Sequence, residues 1–314
     1  MPTKPAPSPP PDSASAAEAG RRPPSVDTTG PDGVRPDLSL DGRRILFVGG
    51  GNMAGAMISG LVAAGVPAAA IGVVEPAAAA RDALAARHRV LAFAAVHGIA
   101  DHERFDAIVL AVKPQQAEVA LAACQPLLAR LPDAVLISIA AGTTIRSIFA
   151  LSGGHRRIVR AMPNTPSLIG AGISGLYAPV GSDPGDRSLA AAILASTGQV
   201  VVVDHETLID TVTAVSGSGP AYAFYLMEAM IEAGVAGGLD PGSARQLALH
   251  TVRGAALLAL ASDEAPEELR RRVTSPGGTT AAAIEVLDRQ DVKASLGEAI
   301  RAAAARSRAL SEGG

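Results

Sequence analysis

Residues 45–61 read ILFVGGGNMAGAMISGL, and the run Gly49-Gly50-Gly51-Asn52-Met53-Ala54 is the first place where chemistry is readable. A β-branched apolar stretch runs straight into the glycines, and a stretch with helical texture follows. Gly49 permits a tight turn, Gly51 lets a pyrophosphate approach the backbone, and Ala54 is small enough for the helix to pack on the strand. A helix that starts here offers free N–H groups and the positive end of its dipole to phosphate. A glycine-rich turn in some other α/β protein would share the composition; the flanking pattern argues for dinucleotide binding. A second apolar run ends in VVEP at Glu75, about 20 residues past the loop, where an acid accepts from the ribose 2′-OH of NAD. The same carboxylate repels the 2′-phosphate of NADP unless a cation such as Arg81 compensates. A solvated acid at a strand end is the plainer alternative.

Four further segments carry polar or small residues in suggestive places. Ala111-Val112-Lys113-Pro114 closes an apolar run, and Lys113 there is either a group that orients a nicotinamide or a surface lysine. Pro163 and Pro166 bracket Asn164 in a rigid turn. Ser216-Gly217-Ser218-Gly219-Pro220 places small residues and a helix-opening proline before a long helix, where glycine allows close approach of backbone or ligand. Ser275-Pro276-Gly277-Gly278-Thr279-Thr280 is a glycine-rich loop opening onto a helix. Its free N–H groups and hydroxyls suit a carboxylate; an ordinary helix cap would explain one hydroxyl but not the doubled glycine. The six histidines lack ligand spacing, the single Cys124 excludes a cysteine cluster, and no G-x-S-x-G nucleophile elbow occurs.

These residues need elements to hold them. Short β-branched runs at 45–49, 72–75, 107–112, 135–140, 157–161 and 199–203 alternate with Ala/Leu-rich stretches. Near-continuous apolar strands separated by helices predict a parallel sheet covered on both faces. After residue 205 the strand signals stop, and helices are predicted at 208–215, 220–236, 241–262, 266–273, 280–288 and 292–310. The expected fold class is α/β, with a Rossmann-type dinucleotide-binding domain at 42–205 and an all-helical domain at 206–314. Gly49–Ala54, Lys113, Ala141 and Asn164 then lie at the C-terminal ends of strands, where open parallel sheets bind ligands. The helical stretch 241–262 carries more apolar positions than one buried face needs, and Tyr222, Phe224, Tyr225, Leu226 and Met230 of the stretch before it read as core or subunit interface. Excess apolar surface predicts at least a homodimer.

Composition narrows the partners. The chain has 314 residues, 18% of them charged, a net charge of −3 and 3% aromatics without tryptophan, which argues against nucleic acid and anionic membrane. Ten of the 23 prolines lie within the first 40 residues. The stretch 1–20 has almost no large apolar side chain, and residues 1–41 read as a disordered tail. It resembles neither a signal peptide nor a transit peptide, and no apolar run approaches the roughly 20 residues of a membrane span. A cytoplasmic location is expected.

Together and in this order, the segments AVKP, SIAAG, RAMPNTP, SGSGPAY and SPGGTT closely resemble pyrroline-5-carboxylate reductases, over roughly residues 43–312. The glycine loop alone is weakly specific; the last three segments in this spacing are strongly so. The resemblance implies hydride transfer from NAD(P)H to the C=N bond of 1-pyrroline-5-carboxylate, giving L-proline in the last step of proline biosynthesis. It implies cofactor contacts from Val48, Gly49, Gly50, Gly51, Asn52, Met53, Ala54, Glu75, Ala111, Val112, Lys113, Pro114, Ala141 and Asn164. It implies substrate contacts from Ser275, Gly277, Gly278, Thr279 and Thr280, with Thr280 as donor to the ring nitrogen and Lys113 beside the nicotinamide. Glu206 and Asp263 match acids that line or border the family's site and equally suit solvated helix starts. Arg272 stands where a small polar residue is common. Family members commonly use NADPH, whereas Glu75 read by itself favours NADH; both stay open. The family's dimers form through the helical domain and often assemble further, with substrate between one subunit's cofactor domain and the helical dimer. A reductase of another cyclic imine, or a nonenzymatic dinucleotide sensor, would share much of this pattern.

Overall fold

The computed structural model describes residues 40–312, so the Pro-rich stretch expected to be disordered lies almost wholly outside the described residues. Eight strands form one sheet: β1 (Ile45–Val48), β2 (Ile71–Val74), β3 (Leu91–Phe93), β4 (Ala107–Leu110), β5 (Val135–Ser138), β6 (Ile158–Met162), β7 (Gly172–Tyr177) and β8 (Gly198–Val202). Around it lie α1 (Asn52–Ala63), α2 (Ala78–His88), α3 (Ala117–Arg130), α4 (Ile145–Leu151) and α5 (Pro184–Ala195). Only helices follow: α6 (Leu208–Val212), α7 (Gly219–Ala236), α8 (Pro241–Leu260), α9 (Pro266–Arg272), α10 (Thr279–Arg289) and α11 (Val292–Glu312). Among the described residues none is long and apolar enough to cross a membrane.

Every residue of β1, β2, β4 and β5 is buried, as their unbroken apolar runs require of strands covered on both faces. Alternate residues feed two cores. Ile45 and Phe47 join Met57, Ile58 and Leu61 of α1 and Ile193 and Leu194 of α5. Leu46 and Val48 join Leu121, Leu127 and Leu128 of α3 and Ile148 of α4. The buried positions of α1, namely 54, 57, 58 and 61, follow the helical period and give it one apolar face. Cys124 belongs to the second core, where burial pushes its thiol pKa up to about 12, so it packs as a small apolar side chain.

The strand order is β3-β2-β1-β4-β5-β6-β7-β8. The chain leaves β1 toward β2 and β3, then crosses back to β4, so the loops after β1 and β4 part above the sheet. That switch point is where such folds open a ligand crevice.

The sheet departs from the expected all-parallel pattern. Strand β7 runs antiparallel to β6 and parallel to β8. Its sequence, GISGLY, carries two glycines that weaken the strand signal, and both are required by contact. A Cβ at Gly172 would collide with Ser167 Oγ, and one at Gly175 would stand 2.5 Å from Val212 Cγ1. A short 3-10 turn, Thr165–Ile169, reverses the chain between β6 and β7. Strand β3 has only three half-buried residues at the sheet edge, too few for a legible alternation. The helix expected at 208–215 divides into α6 and a π-helical turn, Thr213–Gly217. Such turns disturb the helical ladder and collect at functional sites.

Candidate active site at the switch point

The glycine loop is built by contacts that glycine alone permits. Gly49 has φ +99°, and a Cβ there would lie 2.6 Å from the Ala111 carbonyl oxygen. Its N–H donates to Val74 O at 2.9 Å, and Ala111 N–H donates to Val48 O at 2.8 Å. The turn is therefore wedged between the ends of β2 and β4. Val112 adds to the wedge, with Cγ1 2.9 Å from the same missing Cβ. Gly50 packs against Leu84 and Glu75. Gly51 differs: a Cβ there would meet nothing within 4 Å. It is the N-cap of α1, and neither a side-chain cap nor a first-turn acid satisfies the N–H groups of Asn52, Met53 and Ala54. Open space, free donors and a helix dipole in one place suit a pyrophosphate. The residues present therefore fit a dinucleotide.

Glu75 folds back onto this loop. Its Oε2 accepts Gly50 N–H and its Oε1 accepts Ala77 N–H, each at 2.9 Å. Arg81 donates through Nη1 to Glu75 O at 3.1 Å and Pro76 O at 3.3 Å. The carboxylate is thus fixed beside the loop, with one cation close by.

Lys113 and Pro114 are exposed beyond β4; Lys113 precedes the 3-10 turn Pro114–Gln116, and no ion pair engages it among the described residues. Ala141 lies in the turn after β5, half-buried. Asn164 is placed at the end of β6 with its amide already engaged. Its Oδ1 accepts Ile173 N–H at 2.9 Å, and its Nδ2 donates to Ser216 O at 3.2 Å. The side chain expected to face a cofactor straps the start of β7 to the π-helical turn. Tyr222 holds that turn from the other side, its hydroxyl donating to Ala214 O at 3.1 Å.

The loop 275–280 stands apart from the sheet. Gly278 N–H donates to Ser275 O at 3.0 Å, closing a turn with Gly277 at φ +70°. Gly278 is the N-cap of α10, again without a side-chain cap, and the main packing partner of α10 is α11. Ser275, Gly277 and Thr279 are exposed, and Gly278 and Thr280 are half-buried. Within one chain no hydrogen bond joins this loop to the glycine loop. Asp263 is exposed. Arg272 is tied to Glu264 and Glu268 beside it, which accounts for its charge locally.

Glu206 stands elsewhere than the loop 275–280. One oxygen, Oε1, accepts both Ile145 N–H at 2.7 Å and Arg160 Nη1–H at 3.1 Å. It also borders a hollow of about 490 Å³ flanked by Phe149 and Tyr177, away from the glycine loop. Arg160 is only 2% exposed, and sequence reasoning missed its role. The available signal was an arginine inside the apolar run of β6, with acids four residues apart at 206 and 210 to meet it.

The helical part leaves much apolar surface open. No residue of α7 is buried, and in α8 only Ala244 and Ala248 are. Tyr225, Leu247, Leu258 and Leu260 are all more than half exposed. Surface of this kind on a helix pair marks an interface.

An open, mostly parallel sheet with a phosphate-binding turn at its switch point, followed by an all-helical unit, defines a nicotinamide-dinucleotide oxidoreductase with a separate assembly domain. Residues 44–142 match the family described as NADP oxidoreductase, coenzyme F420-dependent, and residues 206–310 match pyrroline-5-carboxylate reductase dimerisation. The pyrroline-5-carboxylate reductase of Pseudomonas aeruginosa is 45% identical over 271 residues, covering 86% of this chain and 97% of the relative. That of Haemophilus influenzae is 40% identical over 269 residues, covering 85% and 97%. The solved structure of the Coxiella burnetii enzyme superposes with a TM-score of 0.80 at 38% identity, over 86% of this chain and 98% of that one. The Plasmodium falciparum enzyme, solved with NADP bound, gives 0.75 at 29% identity, over 86% and 99%. The chain belongs to the pyrroline-5-carboxylate reductase family.

Proposed function

We propose that the protein reduces 1-pyrroline-5-carboxylate to L-proline with a reduced nicotinamide dinucleotide, as a homodimer or larger homo-oligomer in the cytoplasm. The observation that carries the reading is the glycine turn at the switch point, with Gly49 wedged under the Ala111 carbonyl and Gly51 open in front of uncapped α1. The dinucleotide, when bound, supplies a hydride for the imine carbon, while the ring nitrogen takes up a proton. The chain's own work is to bind and align. Gly51 and the first turn of α1 hold the pyrophosphate, with Gly50 fixed beside them by Glu75. Val48, Ala111, Val112 and Pro114 shape the crevice wall, and Lys113 and Ala141 lie along the path toward the nicotinamide. Ser275, Thr279 and Thr280, with the N–H groups of Gly277 and Gly278, hold the substrate carboxylate, and Thr280 donates to the ring nitrogen. An iminium accepts hydride far better than a neutral imine, so alignment of two reactants is most of the task, an effect worth up to ~7–11 kcal/mol.

Glu75 supports a finer reading of the cofactor. Its carboxylate is held at the end of β2, where a 2′-phosphate would meet negative charge. NADH is therefore the preferred donor, and Arg81 allows NADPH to be accepted. Oxidation of each donor by the purified protein, with 1-pyrroline-5-carboxylate as acceptor and proline identified as product, tests the reading. Binding of a dinucleotide without turnover of this imine would refute it.

A further inference from the structure

We infer that Glu206 is a positioning residue for the turn between β5 and α4, and that the helical unit sets dinucleotide affinity through it and through Leu310. The inference rests on the reductase reading, in which Ala141 of that turn borders the dinucleotide. The turn spans residues 139–144. At its far end, Ile145 N–H is taken by Glu206 Oε1 at 2.7 Å. In its middle, Gly142 has φ +72°, and a Cβ there would lie 3.0 Å from Leu310 Cβ, so Leu310 roofs the backbone directly. Both groups come from the helical unit.

Neither group is loosely placed. Arg160, almost wholly buried, donates to Glu206 Oε1 at 3.1 Å, and its Nη2 lies 3.5 Å from Ser311 Oγ and 3.9 Å from Asp210 Oδ1. Asp210, 5% exposed, accepts from Ser307 Oγ at 2.6 Å. A buried guanidinium between two carboxylates persists only if its partners stay in register, because any one left alone is an uncompensated charge. The last turns of α11 are thereby locked to β6 and α6, which carries Leu310 onto Gly142 and aims Glu206 at Ile145. The oxygen that meets Ile145 is the one that meets Arg160, so a single atom ties the turn to the buried guanidinium.

The test uses the full-length protein, with the Kd for NADH taken from fluorescence titration and steady-state constants measured in parallel. Glu206→Ala is expected to raise the Kd for NADH about tenfold, with kcat and the KM for the imine within about twofold of the parent. Glu206→Gln, which keeps an acceptor for Ile145 N–H, should recover most of that affinity. Leu310→Ala, which alters no charge, should raise the Kd about threefold with the oligomer intact. An unchanged Kd for NADH in Glu206→Ala, or a rise confined to the KM for the imine, overturns the inference and makes Glu206 a substrate ligand. If Glu206→Ala does not fold, the Kd of Leu310→Ala decides alone. If the parent binds NADH but does not turn over the imine, the reductase reading falls while the Kd comparison still decides the inference.

Discussion

Glu75 Oε2 accepts the N–H of Gly50 at 2.9 Å, so the acid proposed to face the adenosine ribose is also a strut of the glycine turn. Charge and support can be separated. Glu75→Gln keeps an oxygen for Gly50 N–H, removes the charge and gives up only the acceptor for the exposed Ala77 N–H. The ratio of kcat/KM for NADPH to that for NADH should rise by about tenfold or more, with the NADH value nearly retained. Steady-state kinetics with both donors checks this. An unchanged ratio would mean that the carboxylate only holds the loop.

The two glycines flanking Gly50 serve different ends. Gly49→Ala forces a left-handed residue and a Cβ 2.6 Å from a backbone oxygen that cannot move without disturbing β4. A loss of roughly 2–4 kcal/mol in stability is expected, read from denaturant midpoints. Gly51→Ala meets nothing and has φ −69°, so only the poorer N-cap is felt and its stability should change by no more than about 1 kcal/mol. The KM for the dinucleotide should nevertheless rise about tenfold, because the new methyl stands where the pyrophosphate approaches. Equal effects at both positions would remove the distinction.

What the sequence disclosed follows from how strongly each feature is coded. The strands β1, β2, β4 and β5 are unbroken apolar runs, and the phosphate turn is a spaced glycine pattern; both are local signals. Strand β7 was hidden because Gly172 and Gly175 are set by tertiary contact with Ser167 and Val212, not by strand propensity. The π-helical turn at 213–217 is equally non-local, held by Asn164 and Tyr222 from other elements. The positions of Glu206 and Asn164 were legible as residue types but not as partners, since a side chain's destination depends on which elements pack together. Arg160 shows the same limit, as its two acids are distant in sequence and meet it only when α6 docks on β6.

His155 gives the protein an acid-sensitive step. Its ring is 8% exposed, with Nε2 2.8 Å from Ala134 O, and burial is the main cause that lowers its pKa below the usual 6.5. The unfolded chain therefore binds a proton that the native protein resists. The stability contributed is fully present above pH 6.5 and is lost as pH falls below it, at up to about 1.4 kcal/mol per pH unit until the native pKa is reached. His155→Gln keeps an N–H donor for Ala134 and should flatten this slope. Denaturant midpoints across that range check it; His88, shifted in the same direction, leaves a residual slope in the variant.

The separation of the loop 275–280 from the phosphate turn within one chain predicts an active site shared between subunits. The exposed apolar faces of α7 and α8 are the surface on which a partner would sit. Gly51→Asp places a carboxylate in the open space where the pyrophosphate goes, while remaining a good N-cap for α1, so it blocks the cofactor without breaking the fold. The double variant Ser275→Ala, Thr280→Val removes two of the three hydroxyls of the substrate loop, including the proposed donor to the ring nitrogen. Each variant alone should be nearly inactive. In dimers formed by co-expression, half the molecules are mixed, and each mixed dimer pairs one intact phosphate turn with one intact substrate loop. Activity should therefore return to about a quarter of the parent value. If each site lay within a single chain, every site in the mixed dimer would carry one lesion, and no activity would return.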